Sequence, residues 1–381
     1  MKNTLFTKWL AAALWVLALG STAALAEPDT FYLGDGHNGA FRAGPESTVN
    51  NYAQVLSPLL EGDTEITVTA CTSPSCFAAG ELVMVLQTTG FLGTPQVQEP
   101  AEPISLNGTE VGRWELARVD SMSGTTLKLR APLIRGYAAQ VTQVIRVPEF
   151  TDVTVSLDNS IIARPWDGKV GGVLAFLATG SVRNLGLISA EGAGFRGGVF
   201  VSDPGGNDST GCSGEDEPAP KGAQKGEGIA NTYHGPVHTG RGYVLNGGGG
   251  GVCLKSGGGG GANHGKGGTG GFSSSVDGHR GVGGRAGAPI RDYSLLNRLI
   301  PGGGGGAGHG SAASASRGGS GGGVIFIRAR SLSGSGSLLA TGSTGYYSST
   351  DASGGGGAGG TIHLRLATSA ACGDIDASGG N

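Results

Sequence analysis

Apolar positions along the chain mark short strands, and three stretches of them repeat. From Gly321 the chain reads GGGVIFIRARSLSGSGSLLATG; after a Gly/Ser/Tyr loop it reads GGTIHLRLATSAACGDIDASG. The two superimpose without a gap at an offset of 37 residues, Gly323 on Gly360, Ile325 on Ile362, Gly336 on Gly373, Ala340 on Ala377 and Gly342 on Gly379. An earlier copy from Gly172, GVLAFLATGSVRNLGLISAEG, fits with one extra residue. An apolar strand, a turn and a short strand at fixed spacing predict a repeat array in which each unit is covered by the next.

Residues 27–150 predict a small β-barrel or sandwich. Ile66 and Val68 alternate in TEITVT, and Leu82 to Leu86 is a continuous apolar run, as in a strand buried on both faces. Trp114 to Val119, the turn Ser123-Gly124 and TLKLR predict a hairpin, followed by Val141 to Val147 and the stop Pro148. Strands recurring at short spacing fit that architecture. From Phe150 the texture changes: TDVTVSLDNSIIA reads as a solenoid rung, so a second domain is placed at 151–381, with a long glycine-rich insertion at 193–322. The fold class expected is all-β: the β domain, then a β-solenoid-like array with polyglycine II segments.

Glycine decides how the insertion is read. It supplies 77 of 381 residues, against a usual share of about 7%, and it runs unbroken at 247–251, 257–261, 302–306 and 354–357. Such runs form flexible coil or ordered threefold helices with the polyproline II geometry. Ordering the 19 glycines of the four runs costs on the order of 10–20 kcal/mol more than ordering alanines. Only a dense hydrogen-bond lattice offsets that, at about 1 kcal/mol net per bond. The runs match in length and return to apolar strands, so order is expected.

Residues 1–26 read as a secretory signal peptide: Lys2 and Lys8, the apolar stretch Trp9 to Leu19, and the small-residue site Ala24-Leu25-Ala26. No later stretch approaches the roughly 18 apolar residues of a spanning helix, so an exported protein without a membrane span in its mature chain is expected. Net charge is −3 and becomes −5 without Lys2 and Lys8, which speaks against nucleic acid as partner. Export permits disulfides. Cys71 with Cys76 would close a small loop, and Cys212 with Cys253 would staple a polar stretch; Cys372 is left over. The chain ends inside a repeat, at Ser-Gly-Gly-Asn, so the array is expected to continue past residue 381 or to be a fragment.

Candidate chemistry is thin. Gly318-x-Ser320-x-Gly322 and Gly260 to Lys266 match nucleophile-elbow and phosphate-loop patterns through glycine abundance alone. His234 and His238 are four apart, but Gly235-Pro236 between them forbids a shared helical face. His363 alternates with Ile362 and Leu364 and is expected on the outside of its strand. Asp35 and Asn38, in DGHNG, are weak calcium candidates in what is also ordinary turn sequence. Trp166 is expected in a core; Tyr233, Tyr243, Tyr346 and Tyr347 are candidates for surface contact. No carboxylate pair can be placed in one cleft, so no catalytic residue, cofactor or enzyme activity is expected.

Several segments together resemble the N-terminal part of the large exported glycine-rich proteins of the adventurous gliding motility family: LGDGHNGAF at 33–41, AAGELVMVLQTTG at 78–90, GRWELARVDS at 112–121, RVPEFTDVTV at 146–155, WDGKVGGVLAFLATG at 166–180, GAGFRGG at 192–198 and PKGAQKGEGIA at 220–230. The resemblance implies an envelope or surface role and supplies no catalytic residues. A looser similarity is to glycine-rich phage adhesin tips and receptor ectodomains, where polyglycine helices present binding loops. The function expected is structural or adhesive, at the cell surface, in gliding motility or extracellular matrix, with a surface protein or polysaccharide as partner. The alternative is a polysaccharide-active β-helix enzyme.

Overall fold

A computed structural model describes residues 29–70, 76–200, 222–230, 234–235, 237–252, 255–272, 283–310, 316–348, 352–368 and 370–381. The repeat copies stack as parallel strands. Phe41–Arg42, Val153–Val155, Val173–Asn184, Val324–Ser333 and Thr361–Leu366 lie side by side in that order, with Glu149–Phe150 also along Val173–Asn184. Ser160–Ile162, Leu187–Ser189, Ser337–Leu339 and Ile375–Asp376 form a second parallel sheet. Each rung gives one strand to each sheet, so the array is a β-solenoid. Val155, Leu174, Phe176, Ile188, Ile325, Ile327 and Leu338 fill the space between the sheets.

The pairing follows the sequence repeat. Val324 pairs with Thr361 and Ile325 with Ile362, the offset of 37. The extra residue of the first copy is absorbed at a register shift between Ala178 and Ser181. A β-bulge accommodates one residue without disturbing the strand on either side.

A separate six-stranded antiparallel sheet runs Tyr52–Gln54, Thr142–Val147, Leu82–Gln87, Trp114–Ser123, Thr126–Leu129, Glu65–Thr67. A bridge from Val55 to Val68 joins its first and last strands and closes it into a barrel. Val55, Ile66, Val83, Val85, Val119, Leu127 and Val144 fill the inside. Leu82, Met84, Leu86, Trp114, Ile145 and Val147 face out onto Val173, Ala175, Leu177, Val324 and Phe326 of the solenoid. Both faces of Leu82–Gln87 are therefore buried, which is why that strand is apolar throughout. Phe41–Arg42, within 27–150, pairs with Val153–Val155, so a solenoid strand precedes the barrel in the chain.

His363 points away from the solenoid interior as expected, but it is covered. It packs on Phe326, ring centroids 4.9 Å apart, and edge-on to Trp114 at 6.1 Å, and its Nδ1 lies 3.1 Å from the Leu295 carbonyl. Burial is the main reason its pKa lies below the ordinary histidine value. The unfolded ring, with a pKa of about 6.5, binds the proton more readily than the folded one. Its contribution is thus complete above about pH 6.5 and is lost as pH falls below it. Thermal melts at descending pH should show wild type losing stability more steeply than His363→Phe; equal slopes would contradict this.

The glycine runs are ordered, and their hydrogen bonds repeat every third residue. Gly302, Gly305 and Gly308 donate to the carbonyls of Gly322, Gly319 and Ser316. Gly303, Gly306 and His309 donate to Ala262, Gly259 and Ser256; Gly304 and Ala307 donate to Glu227 and Gln224. The carbonyls face three other segments: Gly302 and Gly305 accept from Phe195 and Gly198, Gly304 and Ala307 from Gly248 and Gly251, Gly303 and Gly306 from Ala358 and Gly355. Strand 302–309 therefore has six neighbours. Those six bond to one another around the ring through Gly194–Gly321, Glu227–Arg196, Gly226–Gly248, Gly259–Gly249, Gly261–Gly356 and Gly322–Ala358. A threefold helix turns each successive residue toward a different neighbour, and the product is a hexagonal polyglycine II lattice. The close approach excludes side chains: a Cβ on Gly304 would lie 2.1 Å from the Arg196 carbonyl oxygen, and one on Gly306 2.0 Å from that of Gly249.

Candidate functional site

The lattice strands run from the sheets to a remote end. There Gly251 donates to Ala307, Gly257 to Gly271, His309 to Ser256, and Ala352 to the His309 carbonyl. Phe272, Tyr346 and Tyr347 stand at this end with 71%, 64% and 81% of their surface exposed. A backbone bond from Gly354 to the Tyr346 carbonyl and another from Tyr346 to that of Arg317 tie Tyr346 to the lattice, with Tyr347 next to it in the chain. Tyr346 and Tyr347 are thus free to meet a partner. Tyr243 is not. It is 3% exposed, packs among Ile104, Trp166, Phe195 and Ile290, and bridges Gln96. Its apolar ring is spent on joining barrel loops to the lattice, which corrects the expectation of a surface role. Trp166 is buried in the same cluster, edge-on to Phe195. Tyr233 lies outside the described residues.

Asp35 and Asn38 come to the junction of barrel and solenoid. Asn38 takes the Glu149 N–H on its Oδ1 at 2.7 Å, so that oxygen is already engaged. Asp35 Oδ1 accepts from the His37 backbone N–H at 3.0 Å and lies 2.5 Å from His37 Nδ1. Burial pulls the Asp35 pKa upward, but the hydrogen bonds and charge of His37, with the charge of Arg118, outweigh it and hold the carboxyl below its usual range. Asp35, His37 and Glu149 offer ligand atoms within 4.8 Å of one another. Calcium takes oxygen ligands, and one of these three is an imidazole. The Arg118 guanidinium already bridges Glu149 and Asp35, and Arg146 holds Glu81 beside them. The cluster is an ion-pair network that seats the segment around residue 35 on the barrel.

A groove of about 930 Å³ runs along the lattice flank between strands 256–261, 267–269, 354–360 and 379–380. Backbone makes up most of its wall; Asn263, His264, Lys266, Thr269 and Tyr293 add polar side chains, and no carboxylate side chain lines it. Sequence reasoning missed it because glycine backbone leaves no side-chain signature. It also missed the buried cations. Lys225 Nζ donates to the carbonyls of Gly240 and Gly242 at 3.0 and 2.7 Å. Arg298 reaches the carbonyls of Leu106, Thr109 and Val111.

Among the described residues, His234 and His238 join no metal-type cluster. His234 Nε2 lies 3.2 Å from the Gly197 carbonyl, and burial above all holds both rings below the ordinary histidine pKa. Cys76 is disulfide-bonded. Its partner, like Cys71, Cys212 and Cys253, lies outside the described residues, so neither expected pairing is shown. Cys372 is a free thiol at the solenoid edge. No helix among the described residues is long and apolar enough to cross a membrane. The segment 1–26 is outside them.

No protein family and no curated protein matches the sequence. Solved structures give distant likenesses, all to phage tailspikes. The tailspike of Acinetobacter baumannii bacteriophage AP22, solved with A. baumannii capsular saccharide, shares 13% identity over 40% of this chain and 27% of its own, with a TM-score of 0.20. The Pseudomonas phage phi297 tailspike shares 14% over 42% and 29%, TM-score 0.19. The Pseudomonas phage LKA1 tailspike shares 12% over 41% and 31%, TM-score 0.17. This chain therefore spans less than a third of each neighbour.

Proposed function

We propose that this is an exported structural or adhesive protein of the cell surface, working in gliding motility or in extracellular matrix. The hexagonal glycine lattice carries the reading. It holds the remote-end aromatics in fixed positions relative to one another, and contacts presented together add in affinity without each being strong. The partner proposed is a surface polysaccharide or protein, met by Tyr346 and Tyr347. Catalysis is no part of the proposal.

Two measurements test it. Antibody labelling of intact cells should detect the protein at the surface; signal only after lysis would refute export to that site. Purified protein should be retained on immobilised surface polysaccharide of its own cells, or on a surface protein from them. Tyr346→Ala/Tyr347→Ala should weaken retention on the order of tenfold, since exposed ring stacking is worth about 0.5–1.5 kcal/mol per pair. Undiminished retention would remove the tyrosines from the mechanism.

A further inference from the structure

Two lattice strands share a position left unfilled by the described residues, and it is the flank groove. Strand 352–360 bonds to five neighbours: 302–309 through Gly355 and Ala358, 316–322 through Gly319 and Gly322, 342–346 through Gly357, 377–381 through Gly380, and 256–262 through Gly261. Strand 256–262 likewise has five: 302–309, 248–251, 283–287, 267–271 and 352–360. For both, the sixth direction opens into the groove, whose sides are 267–269 and 379–380.

Groups facing it are unpaired at the lattice period. The N–H groups of Gly356 and Gly359 donate to nothing among the described residues, although those of Gly355, Gly357, Ala358 and Gly360 all donate. Among the described residues, the Gly268 N–H on the opposite side has no partner, and on the floor the carbonyls of Gly258 and Gly261 accept nothing, while those of Gly257, Gly259 and Gly260 accept from Gly284, Gly306 and Gly287. Donors and acceptors three residues apart are what a threefold extended strand satisfies.

A second observation concerns side-chain room. In the run 257–261, a Cβ on Gly258, Gly259 or Gly261 would meet backbone oxygen at 2.0–2.1 Å and one on Gly257 backbone nitrogen at 2.7 Å. On Gly260 the nearest atom is 3.1 Å away, and the neighbours it meets are Gly268 and Gly356, on the two sides of the groove. Gly260 is the least crowded residue of that run: a Cβ there would need the Gly268 backbone to give by a few tenths of an ångström, and it faces the vacancy. A strand seated there would exclude one.

We propose that this groove binds one extended glycine-rich strand of another polypeptide, which completes the lattice by main-chain hydrogen bonds. The strand's carbonyls accept from Gly268, Gly356 and Gly359, and its N–H groups donate to Gly258 and Gly261. Selectivity is for the absence of side chains, because the positions on either side of the vacancy lie at polyglycine spacing.

The test uses the full chain and a peptide of about six glycines between lysine ends, roughly 19 Å of strand at 3.1 Å per residue. Fluorescence anisotropy should show saturable binding, weaker by at least about tenfold for the peptide with alanines in place of glycines. Gly260→Leu should abolish binding while still melting cooperatively, the Gly268 segment giving by a few tenths of an ångström. In wild type, amide exchange at Gly356 and Gly359 should slow at least about tenfold on saturation; this decides the matter if the leucine variant misfolds. Wild-type self-association in sedimentation that Gly260→Leu removes identifies a second copy as the donor. Absence of saturable binding, equal binding of the alanine peptide, or unchanged exchange at both amides overturns the proposal.

Discussion

Gly304→Ala should be among the most damaging single substitutions in this chain, although it adds only one methyl group, to a buried strand of glycines. The new Cβ would sit 2.1 Å from the Arg196 carbonyl oxygen, and both strands are held from several sides. Relief requires moving a strand and breaking main-chain hydrogen bonds on more than one neighbour. Overpacking a rigid core costs about 1–3 kcal/mol and occasionally more; a lattice of backbone has fewer rotamers to yield, so a loss of at least about 3 kcal/mol is expected. Gly265→Ala is the control. Nothing lies within 4 Å of its Cβ position, and lower entropy in the unfolded chain should leave it neutral or more stable by about 0.4–1 kcal/mol. Denaturant midpoints of the two variants measure the contrast; similar midpoints would mean that the lattice yields freely.

Glu149→Ala is expected to cost a comparable amount by a different route. The Glu149 side chain is fully buried and paired with Arg118, itself 12% exposed. It also takes the Asp35 N–H at 3.1 Å, while Arg118 lies over the Phe31 ring at 5.2 Å. Removing the acid leaves Arg118 in a largely dry setting with only the half-exposed Asp35 as carboxylate partner, a change worth about 3 kcal/mol. Replacing both partners by apolar residues, Glu149→Leu with Arg118→Met, should recover most of that, since a buried pair is often no better than an apolar one of equal size. If the single variant unfolds at the wild-type denaturant concentration, the pair contributes nothing to holding barrel and solenoid together.

Much of the architecture was legible in the sequence because it is written in side chains. Ile325 and Ile362 share a phase in the repeat and pair in the sheet, and the surplus residue of the first copy became a bulge. The continuous apolar run at Leu82 to Leu86 announced its two buried faces. The glycine runs were legible as ordered from length and spacing. Which run touches which was not, because main-chain hydrogen bonds impose no pattern on composition beyond the absence of Cβ. For the same reason 194–198 and 224–227 could not be recognised as lattice members: they carry long side chains, which the lattice accommodates by pairing Arg196 with Glu227 and by letting Gln224 take the Val199 N–H. Tyr243 was misplaced because an aromatic in glycine-rich sequence looks solvent-facing until a neighbouring domain is known to cover it. Asp35 and Asn38 show the same limit, since their partners Glu149 and Arg118 are distant in sequence.

Strand 302–309 takes its six neighbours from segments that begin at 194 and end at 358. During synthesis it therefore waits for chain on both sides of itself, and segments made early have main-chain groups with no final partner until late ones arrive. Assembly around this strand must be a single closure rather than a gradual growth from one end. A polypeptide built so stays threadable here until the residues near 358 have emerged.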